Sequence, residues 1–377
     1  MKVLQTILSA SSAWNDQTGQ LAPDAADLVF VFGLRIPLAD PKVLNAVRER
    51  FPRARLVLAS TSGHFANTEL SDQPIICTAL GFEHARVQAA MGQGQNPSEL
   101  AAVCQALAAK LRAPDLRHVL LFSDGNLING TVLADAFAEA LPPTVSLSGG
   151  LAGDGTDFAL TLVGLDAAPV VGGVVAVGLY GDSLHIRFGN AGGWSVFGPV
   201  RTITAAKGNV LHALDDHPAL AIYRAYLGPE AAALPASALR FPLRVTPPGG
   251  SDSVVRSILS IDESAQTMTF AGDLPVGASA QLMRASYEEL VTGAEDAARL
   301  AFSAEADFAL CVSCVGRRVV LGQNTENELE VIRAILGMRP VIAGFYSYGE
   351  LTPSGTDGAC RLQNQSMSIT TLSESAS

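Results

Sequence analysis

Charge is scarce in this sequence: Asp, Glu, Lys and Arg make up 16% of its 377 residues. Basic residues are the scarcer half, 25 Lys and Arg against 36 Asp and Glu, for a formal net charge of −11. A chain with that balance lacks the broad basic face that neutralises phosphates, which excludes general nucleic-acid binding. Long apolar runs are also missing. The longest, 170–180 (VVGGVVAVGLY), is interrupted by two adjacent glycines, whereas a membrane-spanning helix needs about 20 apolar residues. The opening stretch, MKVLQTILSASSAW, has one lysine and polar interruptions, so it reads as a first strand and not as a secretory signal. Cysteines are few and odd in number (Cys77, Cys104, Cys311, Cys314 and Cys360), the usage of a cytoplasmic protein with reduced thiols. No sequence repeat and no low-complexity tract is visible.

What is abundant is apolar: 48% hydrophobic residues and a mean hydropathy of +0.28. That excludes the composition of a disordered chain, and the length calls for two or three domains. Buried strands are expected at 28–32 (LVFVF) and 56–60 (LVLAS), with a helix over 41–51 between them. Asn96, Pro97 and Glu99 open a helix running to about Arg112, with Leu100, Val103, Cys104, Leu107 and Leu111 on one stripe. A strand at 118–122, a helix near 127–140 and a strand from 145 continue an α/β alternation. From Gly149 onward the pattern becomes a meander, with strands at 158–165, 170–179 and 184–189. A helix over 218–227 opens a mixed α+β second half. There, Ser286 with Glu289 and Thr325 with Glu328 have the spacing of capping boxes, and strands are expected at 308–313, 341–348 and 365–372. The fold class is therefore α/β plus α+β, two consecutive domains (1–217 and 218–377) with mixed sheets flanked by helices.

Five constellations are candidates for chemistry. Residues 148–155 (SGGLAGDG) read as a glycine-rich loop whose backbone N–H groups can approach a ligand, without the spacing of a nucleotide-binding loop; a tight structural loop is the alternative. Cys311-x-x-Cys314 sits at strand spacing, which points the two thiols to opposite faces, and no second cysteine pair or histidine pair completes a zinc site. A structural role fits, with redox or metal chemistry as the alternative. Arg317 and Arg318, at the end of that strand, face opposite ways, so one can clamp a carboxylate while the other meets solvent; an ordinary salt bridge is the alternative. Alternation in 344–350 (GFYSYGE) puts Tyr346 and Tyr348 on one face, near Glu350, as material for a pocket wall; a packed core edge is the alternative. The six histidines stand at no metal-binding spacing; His64 follows a strand end, where functional loops gather. No catalytic motif is complete.

Taken in order, several segments resemble the FIST family, whose members carry consecutive FIST N and FIST C domains. The likeness is carried by 148–155 followed by Phe158 and Thr161, then 176–181 (AVGLYG), Gly193-Trp194, Gly198-Pro199, Gly208-Asn209, Leu214-Asp215 and Pro218-Ala219. In the second half it continues through Gly316-Arg317-Arg318, Leu321-Gly322, Glu328, 344–350, Asn364-Gln365 and Met367. The resemblance implies a cytoplasmic, small-ligand-binding sensory protein of signal transduction, with no catalysis of its own and an amino acid or similar small metabolite as its ligand. Members are often fused to kinase, cyclase or chemoreceptor segments. This chain ends close to the last family motif, so signalling would pass to a separate histidine kinase or cyclase. Neither nucleic acid nor membrane insertion is expected. The family tends to have Gly-Glu where this chain has Gly63-His64. Some relatives are thought to bind haem, for which a histidine would be the axial ligand; a haem-based gas sensor is thus one alternative. A hydrolase or transferase using Ser148, Asp154 or Cys314 is another. The cofactor is left unknown, and no metal site is expected.

The pocket is expected between the domains. Gly149, Gly150, Gly153 and Asp154 form one wall, and Tyr346, Tyr348 and Glu350 the other. Arg317 or Arg318 holds the ligand's carboxylate, Asp154 or Glu350 its ammonium, and His64 tunes the choice with pH; a surface histidine with no role is the alternative for His64.

Overall fold

A computed structural model describes residues 1–71, 74–94, 96–250, 252–355 and 358–375. The longest apolar runs become strands buried on both faces, as for Leu28–Gly33, Ile75–Gly81, Gly173–Tyr180 and Phe308–Cys314. Such strands need a cover on each side, and that requirement shapes the molecule.

Three six-stranded mixed sheets share one plan. Each is centred on a parallel pair: Leu28–Gly33 with Arg55–Ser60, Leu116–Ser123 with Ser146–Leu151, and Phe308–Cys314 with Val341–Ser347. Parallel neighbours require a crossover, and helices supply it: Pro41–Arg50, Gly130–Ala140, and Val315–Leu321 with Glu326–Leu336. In each sheet the first strand of the pair has an antiparallel neighbour on its other side: Ile75–Gly81, Gly173–Tyr180 or Met367–Glu374. The second strand of each pair then runs on into a strand of a different sheet. Arg55–Ser60 leads to His64–Ala66 in the third sheet, Val341–Ser347 to Gly349–Pro353 in the second, and Ser146–Leu151 to Val163–Leu165 in the first. The crossings form a closed cycle, so the absence of a sequence repeat conceals a threefold repeat of topology.

The inner faces of the three sheets meet in one core. Phe30 and Phe32 of the first sheet lie 5.6 Å and 6.1 Å from Phe122 of the second, ring centroid to centroid. Phe30 is 5.9 Å from Phe308, and Phe32 4.7 Å from Phe345, both of the third sheet. Helices cover the outer faces. Pro97–Leu111 buries Leu100, Cys104, Leu107 and Leu111, and Asn96 caps it by accepting from the Glu99 N–H at 3.0 Å. Ser286 and Glu289 form the expected capping box of Tyr287–Ala301.

Strands between residues 195 and 284 form a fourth, nine-stranded sheet with its own core around Tyr223, Leu243 and Phe270. The helix Ala219–Leu227 packs on it. The boundary expected near residue 217 falls within this layer, and both halves of the chain contribute strands to the second and third sheets.

Several local expectations are corrected. The helix expected near 127 begins at Gly130, because the Asn129 side chain accepts from Thr131 N–H and ends the preceding loop. Of 158–165 only Val163–Leu165 is strand, since the residues before it wrap around Asp154. Thr325 and Glu328 make no capping box. The Thr325 hydroxyl donates to Gly322 O, and Glu328 is directed inward to Arg317. Arg317 and Arg318 lie on the helix Val315–Leu321 and not on a strand.

Candidate functional site

The three crossings converge at the carboxyl ends of the parallel pairs, the end of an α/β sheet where ligand sites form. Backbone hydrogen bonds join them: Gly153 N–H donates to Ser60 O at 2.9 Å, Tyr348 N–H to Leu151 O at 3.2 Å, and Ser62 N–H to Tyr346 O at 2.8 Å. Glycine is required at two of the junctions. Gly63 has φ +122°, and a Cβ there would overlap the Arg318 guanidinium; a Cβ on Gly153 would overlap Ser62 Oγ.

The segment after Gly153 is tied down by its own polar groups. Asp154 accepts from the N–H groups of Ala159 (3.0 Å) and Leu160 (2.7 Å) and from the Tyr348 hydroxyl. Phe158, at φ +49°, stacks on Tyr348 with centroids 4.5 Å apart. Ser62 Oγ donates to Gly155 O at 2.9 Å. Between this fixed loop and the helix Val315–Leu321 lies a cavity of about 370 Å3, lined by Ser62, Gly155, Thr156, Val315, Arg318 and Val319. A second cavity of about 400 Å3 adjoins it at Thr156 and Val319 and extends toward the nine-stranded layer.

The adjacent arginines have separate fates, because successive residues on a helix point about 100° apart. Arg317 is fully buried. Its Nε and Nη2 donate to Glu328 Oε2 at 3.1 Å and 2.9 Å, Nη2 also to Leu290 O, and Nη1 to Gly192 O. Glu328 Oε1 accepts in turn from Ser313 Oγ and Tyr346 Oη, at 3.1 Å and 2.7 Å. Burial, reinforced by that carboxylate, holds the Tyr346 phenol well above its ordinary pKa. Arg318 is half-buried in the cavity wall. Its Nη1 donates to Ser62 O, and its guanidinium carbon lies 5.6 Å from the Tyr346 ring centroid. Among the described residues no ion pair involves Arg318.

The other residues singled out in the sequence lie behind these walls. Gly149 and Gly150 belong to the strand Ser146–Leu151, so only the second half of 148–155 is loop. A Cβ on Gly149 (φ +142°) would overlap Leu121 O, and one on Gly150 would overlap the Val312 side chain; both glycines serve close sheet packing. Gly150 pairs in register with Glu350, so the two segments expected to face each other are neighbours. Tyr346 and Tyr348 do not share a face, because the chain leaves one sheet after Ser347 and enters another at Gly349. Glu350 is fully buried, accepting from Ser347 Oγ (2.8 Å) and Ser366 Oγ (2.9 Å), and burial raises its pKa to about 8. His64 is buried in the strand His64–Ala66, its Nδ1 3.0 Å from Thr61 Oγ1.

Nucleophile candidates are enclosed. Ser148 is 1% exposed and bonded to His118 Nε2 (3.0 Å) and Thr370 Oγ1 (2.8 Å). Desolvation lowers the His118 pKa to about 3. Cys314 is buried, and desolvation pushes its thiol well above the ordinary range. Among the described residues no histidine lines either cavity at this junction, so the residues there do not fit a histidine-ligated haem. Sequence reasoning missed Thr156, Val319 and the 233–239 segment. The last belongs to the nine-stranded layer, and only the tertiary fold brings it to the site.

No curated protein matches the chain. Among solved structures it is similar to cyanuric acid hydrolase from A. caulinodans, at 11% identity over 94% of this chain and 92% of that one, with a TM-score of 0.35. It is likewise similar to a cyanuric acid hydrolase described as an "evolutionary innovation by structural concatenation", at 9% identity over 99% and 98%, also with a TM-score of 0.35. Likeness at that level carries no functional argument. The FIST N domain matches residues 27–217 and the FIST C domain residues 219–353. With these two matches spanning most of its length in family order, the chain belongs to the FIST family of small-ligand sensory domains.

Proposed function

We propose that this protein is a cytoplasmic sensor that binds a small carboxylate, an amino acid or a similar metabolite, in the cavity beside Arg318. The observation that carries the reading is Arg318 itself. Its guanidinium is half-buried, held at one nitrogen by Ser62 O, backed by the Tyr346 ring and matched by no carboxylate among the described residues. A guanidinium so oriented, with donors to spare, is prepared for the fork of a carboxylate. Thr156 offers a hydroxyl beside it. The burial of Ser148 and Cys314 favours binding over catalysis. Five free, buried cysteines suit a reducing compartment, and among the described residues no helix is long and apolar enough to cross a membrane.

Arg317 is spent on Glu328, so of the two arginines we assign the ligand to Arg318. Gly153 and Asp154 act by shaping the loop, and Tyr348 by anchoring it. His64 and Glu350 sit deeper and act on the site only through the junction. Output passes to a separate partner, a histidine kinase or a cyclase, through a surface that ligand binding changes. The test is a thermal-shift screen of small carboxylates on the wild type and Arg318→Gln. Carboxylates that raise the melting temperature of the wild type should leave the variant unmoved. Equal stabilisation of both proteins would refute the assignment.

A further inference from the structure

The two adjoining cavities differ in character. The inner one presents Ser62, Thr156 and Arg318. The outer one is walled by Phe158, Leu234, Leu239, Ile258 and Val319. Among the described residues, no Asp or Glu side chain lines either of them. The two acids expected to receive a ligand ammonium are committed elsewhere. Asp154 is occupied by two backbone N–H groups and the Tyr348 hydroxyl, and Glu350 lies fully buried beneath Ser347 and Ser366. An α-amino acid held by its carboxylate on Arg318 would therefore bring a second cation beside the first, with no anion to meet it. Gly155 O, an acceptor in the cavity wall, already takes the hydroxyls of Ser62 and Tyr348. Withdrawing an ammonium from water without a partner costs affinity.

Resting on the reading that Arg318 holds a carboxylate, we propose that the ligand is a monocarboxylate without an α-ammonium, whose apolar tail lies in the groove of Phe158, Leu234, Leu239 and Ile258. The head engages Arg318 with Thr156 at its side. The tail passes Val319, which with Thr156 is common to both cavities, and reaches the apolar face that the nine-stranded layer contributes. This gives that layer a role in ligand choice: it measures the tail, while the three-sheet body binds the head.

Matched pairs test the class. Isothermal titration of the full chain would compare 4-methylpentanoate with leucine and 3-phenylpropionate with phenylalanine, each pair differing by the amino group. The acid without the amino group should bind about tenfold tighter or more, the loss expected from about one unpaired polar group. Hexanoate should exceed butanoate by about fifteenfold, at about fourfold per buried methylene. Arg318→Gln should abolish binding of all of them. Val319→Trp, at a half-buried helix position, should erase the advantage of hexanoate while butanoate still binds. If leucine and phenylalanine bind as tightly as their partners and Arg318→Gln still abolishes them, the ligand class is wrong and the Arg318 site stands. If binding ignores Arg318→Gln, or no acid binds, both readings fall. A hexanoate advantage that survives in Val319→Trp overturns the placement of the tail.

Discussion

Replacing Glu328 with alanine should destabilise the protein by about 3–5 kcal/mol, the cost of breaking a buried ion pair from one side. Both partners have fully buried side chains, so the pair is shielded from bulk solvent. The carboxylate receives four hydrogen bonds, two from Arg317 and one each from Ser313 and Tyr346. Its removal leaves a guanidinium with only the carbonyls of Gly192 and Leu290, and two hydroxyls without their acceptor. Those carbonyls tie the helix Val315–Leu321 to the loop before Trp194 and to the helix Tyr287–Ala301, so the damage is central. Against a typical total of about 5–15 kcal/mol, a loss of this size is a large share. Urea unfolding followed by circular dichroism, with Trp194 fluorescence as a local probe, measures it. A control separates lost charge balance from lost packing: Arg317→Met with Glu328→Leu removes both charges, and should be more stable than Glu328→Ala. A loss below about 1 kcal/mol for Glu328→Ala, or a double variant no better than the single one, would refute the reasoning.

Glu350 gives a pH dependence. Its folded pKa, about 8, lies above the unfolded value, so the native state holds a proton that the unfolded state releases. Stability is then greatest below the unfolded pKa and declines as pH rises toward 8, by up to about 1.4 kcal/mol per unit. Glu350→Gln should flatten that decline between pH 5 and 8, and a variant with the wild-type slope would count against it. Gly149→Ala should fail to fold or lose several kcal/mol, since its Cβ would overlap Leu121 O at a positive φ; soluble protein with an unchanged melting temperature would contradict this. Tyr348→Phe removes the hydroxyl that binds Asp154 and receives the Phe158 N–H. It should cost about 1–2 kcal/mol and speed hydrogen exchange across 154–162; unaltered protection there would show that the loop is held by something else.

The sequence reading was strongest where one local rule decides. The Asn96 and Ser286 caps, the stripe through Leu100, Cys104 and Leu107, and the apolar strands follow from spacing and composition. It failed where tertiary partners override the local pattern. Thr325-x-x-Glu328 has the form of a capping box, yet satisfying the buried Arg317 outweighs capping a helix end. Alternation placed Tyr346 and Tyr348 together, but a strand that changes sheets breaks its own period between them. The threefold cycle was illegible because its three strands share hydrophobicity and not residues: 55–60 is RLVLAS, 146–151 is SLSGGL and 341–347 is VIAGFYS. At the site, adjacency in sequence does not distinguish Arg318 from Arg317, and only the helix separates their directions. The apolar groove could not be read at all, since its walls come from four separate stretches of chain.

The most direct test of the central claim is a crystal structure of the full chain with 4-methylpentanoate. The account predicts the carboxylate within about 3 Å of the Arg318 guanidinium and the branched tail against Phe158 and Leu239. Density for the acid elsewhere, such as the cavity lined by Lys2, Thr18 and Arg339, with nothing bound beside Arg318, would contradict it.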